Sequence, residues 1–133
     1  MIRMPDSIFT KIIKGEIPCH KIYEDDSTLA FLDIHPKNTG HTLVIPKKQV
    51  EFVWDLEDAD YAALMSTAKK VAVRLKTVLG ASYVGETIEG VDVPHAHVHV
   101  YPFETPEEAR RTGDPNLEPD HEALAALAAR LAF

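Results

Sequence analysis

Three histidines alternate with apolar residues in the run Pro94-His95-Ala96-His97-Val98-His99-Val100-Tyr101-Pro102. Successive side chains of a β-strand point to opposite faces, so this spacing predicts a row of imidazoles on one face. Ala96, Val98 and Val100 then fall on the core face. Histidine is not a strand-favouring residue, and burying three imidazoles side by side is costly unless each finds a partner. A purely structural role therefore suits the trio poorly, whereas it suits His20, His35 or His121 taken singly.

Two kinds of chemistry use such a row. Imidazole ligates zinc at bond lengths near ~2 Å. On a straight strand, however, a rise of roughly 3.3 Å per residue sets the outer two histidines about 13 Å apart. A metal ion would take two of them and draw further ligands from elsewhere, such as His41 or Asp92. The other chemistry is phosphoryl or nucleotidyl transfer. An imidazole largely neutral near pH 7 is a good nucleophile for phosphorus. Here the spacing helps, since the central ring attacks while its neighbours donate hydrogen bonds to phosphate oxygens and manage the leaving group's proton.

The composition narrows the setting. A chain of 133 residues is the usual size of one domain, expected here over 1–133, and needs no covalent staples to bury a core. Cys19 is the single cysteine, which rules out an internal disulfide and fits a reducing compartment, the cytoplasm. The net charge is -7 and no basic cluster exceeds two adjacent residues, so long nucleic acid is a poor partner. No apolar run approaches a membrane span, so no membrane partner is expected either. A small anion remains feasible, because it needs only a few local donors.

The elements that would position the histidines follow from local patterns. Asp6 or Ser7 can cap a short helix bearing Ile8, Phe9, Ile12 and Ile13, stopped by Gly15. Lys21–Glu24 and Thr28–Leu32 flank the turn residues Asp25-Asp26-Ser27, a hairpin signal. After a turn over Asp33–Gly40, the segment Gly40–Pro46 reads as a strand. Asp58 or Asp60 opens one long helix with Leu64, Ala68, Val71, Leu75 and Val78 at helical spacing up to Gly80. Ser82–Ile88 and His95–Phe103 read as two more strands, Glu104–Pro119 as a surface loop, and Glu122–Leu131 as a final helix with Leu124, Leu127 and Leu131 on one stripe. Strands around a central helix give an α+β domain.

With these segments in order, the chain resembles the histidine triad superfamily, in its nucleotide-binding branch. His95-Ala96-His97-Val98-His99-Val100 matches the signature of three histidines alternating with hydrophobic residues. The stretches Asp6–Pro18, Tyr23–Asp26, Leu29–Ile34 and His41–Lys48 are similar in order and spacing. The resemblance implies a homodimer with an antiparallel sheet, one long helix and shorter terminal helices. It also implies hydrolysis or transfer of a nucleoside monophosphate from purine nucleotide derivatives, with no cofactor. His97 matches the family nucleophile, His95 and His99 the flanking histidines, and His41 the histidine that completes the relay. Asp33 matches the acid on the ribose hydroxyls. Ile8, Phe9, Ile12, Ile17, Phe31, Ile34 and Leu43 match the apolar walls around the base, with ordinary core as the competing reading for Ile12 and Leu43.

Two departures stand out. Many bacterial relatives carry a zinc-binding Cys-x-x-Cys near the N-terminus, where this chain has Ser7 and Thr10, poor zinc ligands; no structural zinc is expected. Before the triad, relatives offer amide and hydroxyl side chains to the phosphate, where this chain has Val91 and Asp92. A carboxylate there repels phosphate, or raises the pKa of an imidazole it faces. The leading reading is a hydrolase of nucleoside phosphoramidates. Dinucleoside polyphosphate cleavage, a nucleotide-binding scaffold with weak turnover and a metal-binding module are the alternatives.

Overall fold

The computed structural model describes residues 4–133. Five antiparallel strands form one sheet: β1 (Lys21–Glu24), β2 (Thr28–Leu32), β3 (Thr42–Pro46), β4 (Tyr83–Thr87) and β5 (Val98–Phe103), in the order β1-β2-β3-β5-β4. The α+β expectation holds, and so does the antiparallel sheet.

Strand periodicity sorts the core into two layers. Ala30, Leu32, Val44, Val98 and Val100 face α2 (Asp58–Leu79), where they meet Leu64, Ala68, Val71 and Leu75. The alternate residues Leu29, Phe31, Leu43 and Ile45 form a second cluster with Phe9 of α1 (Ile8–Ile13) on the other face. Both faces of β2 and β3 are thus covered, which is why these strands are buried at every position. Thr28 and Thr67 share a buried hydroxyl hydrogen bond of 2.7 Å, which satisfies two polar groups where α2 crosses the sheet.

Local chemistry sets the helix ends. Ser7 caps α1 by accepting the Thr10 N–H, and Gly80 ends α2 at φ +67°, a conformation that glycine adopts without strain. The last helix, α4 (His121–Leu131), buries Leu124 and Leu131 as its stripe predicts, with Leu127 partly buried. Two expectations need correction. The stretch Glu104–Pro119 is not all loop, because Thr105 accepts the Glu108 N–H and starts α3 (Pro106–Ala109). The strand expected from His95 begins only at Val98: Ala96 N–H bonds Val50 O, not β3, so His95 and His97 lie on an irregular lead-in pinned to the segment after β3.

Candidate active site

His95, His97 and His99 still gather on the face covered by α1. The Phe9 ring stands edge-on to His95 and His97, with centroids 5.8 and 5.3 Å away, and His97 meets His99 at 5.1 Å. His41, at the mouth of β3, brings its Nε2 within 2.9 Å of His99 Nδ1. The four histidines singled out in the sequence are therefore one cluster, with His95, His97 and His41 buried and His99 half-buried.

Hydrogen-bond partners fix where the protons sit. A carbonyl oxygen only accepts, so His97 Nδ1, 2.8 Å from His95 O, must carry a hydrogen. A neutral His97 then presents a bare Nε2 lone pair. His41 Nδ1 accepts the Lys37 N–H at 3.0 Å, which puts the His41 hydrogen on Nε2 and makes it the donor to His99 Nδ1. His99 is left with an Nε2–H donor. Burial pushes the His41 pKa down to about 3, helped by His99 and Lys37. The 3.6 Å approach of Asp33 Oδ2 to His41 Nε2 is therefore a polar contact to a neutral ring and not an ion pair.

Asp33 sits at the end of β2, where its Oδ1 accepts the His35 N–H at 2.8 Å as a turn-forming aspartate does. Burial raises its pKa, with the charge of Asp92 adding to that push. Asp92 is exposed and lines a cleft of about 410 Å³ together with Asp33, Glu89, Lys37, Arg111 and His99. Asp92 and Glu89 push the His99 pKa up, as a facing carboxylate should. Burial and His97 outweigh them, so the net shift of His99 is downward although Asp92 acts in the expected direction. A larger cavity of 560 Å³ beside α4 borders Asp33 and His41 but none of the three triad histidines. Of the triad, the smaller cleft is lined by His99, and the buried His97 ring lies 5.1 Å from that of His99.

The apolar residues divide. Phe9, Phe31 and Leu43 are buried in the α1-side cluster and Ile12 packs against it, so core packing accounts for them at least in part. Ile8 and Ile34 are exposed at 49% and 41%, available as walls for a ligand, while Ile17 is half-buried after α1. Sequence reasoning missed the Lys37 N–H, Arg111, Glu89 and Gln49. A backbone donor leaves no side-chain signal, and the other three sit in surface stretches without periodicity.

Neither metal reading fits. Asp33, His41 and His99 offer ligand atoms within 4.8 Å of one another. Ligation through His41 Nε2 would require the hydrogen on Nδ1, where the Lys37 N–H already points. At the positions matching the Cys-x-x-Cys of bacterial relatives, the Ser7 and Thr10 hydroxyls bond His95 and Gln49.

Comparison with known proteins identifies the family. A HIT domain family model matches residues 14–105. An uncharacterized HIT-like protein of Borreliella burgdorferi is 42% identical over 106 residues, covering 74% of this chain and 76% of its own length. The adenosine 5'-monophosphoramidase of Schizosaccharomyces pombe is 36% identical over 124 residues, 90% of this chain and 91% of the relative. A HIT-like protein of Bartonella henselae, described as involved in cell-cycle regulation, superposes with a TM-score of 0.84 at 30% identity, covering 98% and 97% of the two chains. By family model, by sequence and by fold, the chain belongs to the HIT domain family.

Proposed function

We propose that this protein is a nucleotide hydrolase or transferase that attacks the α-phosphorus of purine nucleoside phosphoramidates through His97 Nε2. The observation that carries the reading is the fixed polarity of the two central rings. His97 Nδ1–H is committed to His95 O, which leaves Nε2 as a lone pair. The Lys37–His41–His99 chain leaves an Nε2–H donor on His99, beside it. A nucleophile next to a preorganised donor is what an in-line displacement at phosphorus requires. The His97–phosphorus bond forms as the bond to the leaving nitrogen breaks, and the electron pair departs with that nitrogen. An N-protonated phosphoramidate releases it as a neutral amine. Water then attacks the nucleotidyl-histidine, breaks the nitrogen–phosphorus bond, and gives up its proton to solvent.

The cleft favours this substrate over a dinucleoside polyphosphate. Three carboxylates, Asp33, Glu89 and Asp92, line it against two cations. Lys37 sits 3.8 Å over the Tyr101 ring and Arg111 bonds Asn38, and both line the cleft. Carboxylates repel a second phosphate chain and stabilise a protonated leaving nitrogen. The named activity of the Schizosaccharomyces pombe relative points the same way. Asp33 in this reading receives the ribose hydroxyls, and Ile8 and Ile34 flank the base.

The test is turnover of adenosine 5'-phosphoramidate. His97→Ala should lose roughly three orders of magnitude or more in kcat, because only binding and electrostatic help remain. Retention of a tenth of the wild-type rate would refute the assignment.

A further inference from the structure

His95 is fully buried, yet both of its ring nitrogens are satisfied, and the partners come from two separate parts of the chain. Nε2 lies 2.8 Å from Pro46 O and must donate to it. Burial lowers the His95 pKa, so the ring is neutral and Nδ1 accepts. The donor is the Ser7 hydroxyl at 2.8 Å, with Thr10 Oγ1 further off at 3.3 Å.

Behind Ser7 the directions are fixed as well. Ser7 Oγ accepts the Thr10 N–H at 3.0 Å, and the Thr10 hydroxyl donates to Gln49 Oε1 at 2.6 Å. Gln49 Oε1 also accepts the Ser7 N–H at 2.8 Å, and its amide nitrogen donates to Pro5 O at 2.8 Å, which orients the amide. Two hydroxyls, an amide and an imidazole thus close on one another.

We propose that Ser7, backed by Thr10 and Gln49, is a positioning residue that locks the His95 ring and so holds the His95 carbonyl that polarises His97. The ring and the carbonyl belong to one residue, whose N–H is tied to Val93 O at 2.8 Å and whose peptide unit with Ala96 is tied to Val50 O at 2.7 Å, so a ring that loses Ser7 and shifts strains these two bonds and the contact of His95 O with His97 Nδ1 that they set. The Phe9 edge contact to both rings transmits the same displacement. The catalytic consequence of this positioning rests on the reading of His97 as nucleophile.

The test uses the full chain with Ser7→Gly, which deletes the hydroxyl while glycine still starts a helix well, and Thr10→Val as a second variant that keeps the α1 cap. Solvent exchange of the His97 Nδ1–H is followed by NMR alongside turnover of adenosine 5'-phosphoramidate. In Ser7→Gly the protection of that proton should be lost and kcat should fall ~10-fold or more with KM within twofold. Ser7→Thr should restore both, and Thr10→Val should show a smaller change in the same direction. Unchanged protection in Ser7→Gly and Thr10→Val, or a kcat loss without loss of protection, would overturn the positioning role. If the wild type itself turns over no phosphoramidate, the functional reading fails, and the exchange measurement still decides the role of Ser7.

Discussion

At the scale of single residues, the site depends on which nitrogen of each ring carries its hydrogen, and three backbone groups decide it. His95 O and Pro46 O accept, and the Lys37 N–H donates. Among side chains, Asp92 tests how charge selects the substrate. It lines the cleft, and a carboxylate acting over roughly 6 Å at an effective dielectric between protein and water is worth about 1 kcal/mol or ~5-fold. Asp92→Ser should lower kcat/KM for adenosine 5'-phosphoramidate several-fold and raise it for a diadenosine polyphosphate. Changes of the same sign for both, or none for either, would show that Asp92 takes no part in sorting leaving groups. The histidines themselves were legible from the sequence because three imidazoles on an apolar strand have few structural uses. Their proton positions were not legible, since carbonyls and amides carry no residue signature. The reach of Ser7 to His95 was hidden for another reason: it spans 88 positions, and only the packing of α1 against the lead-in to β5 closes it.

Elements place these residues through a few steric constraints. The hairpin of β1 and β2, the long helix and the last helix followed from periodicity and turn chemistry, with α2 running Asp58–Leu79 as its spacing required. The late start of β5 did not, because alternation alone cannot tell a paired strand from an irregular lead-in whose Ala96 N–H is held by Val50 O. Gly85 clears room for the Tyr101 ring, which would lie 3.0 Å from an added Cβ, and Tyr101 in turn supports Lys37 and touches His41. Gly40 matters more directly. It precedes His41 at φ +98°, and an added Cβ would meet Leu79 Cδ1 at 2.8 Å and Pro102 Cγ at 3.2 Å. Gly40→Ala should cost about 1–3 kcal/mol in stability from backbone strain and crowding. It should also lower kcat by displacing His41. Chemical denaturation checks the first effect, and a midpoint unchanged from wild type would contradict it.

Across the whole molecule, the sheet ends in the edge strand β4, paired among the described residues only to β5, with Tyr83 exposed at 59%. Open edges invite pairing, and the resemblance to histidine triad proteins implies a homodimer that buries the long helix and a sheet edge. Light scattering at micromolar concentration should give twice the chain mass; a monomeric mass would refute this. Among the described residues no helix is long and apolar enough to cross a membrane. The net charge of -7 is unfavourable for a broad phosphate-backbone contact, and in the proposed function the small anion meets the local cations Lys37 and Arg111 of the cleft. The most direct test of the account is to trap the covalent species. Wild-type protein mixed with adenosine 5'-phosphoramidate, quenched within milliseconds at alkaline pH and digested, should yield one peptide carrying an acid-labile nucleoside monophosphate on His97. His97→Ala should yield none. A label on another residue, or turnover in the wild type with no labelled peptide at any quench time, would contradict nucleophilic attack by His97.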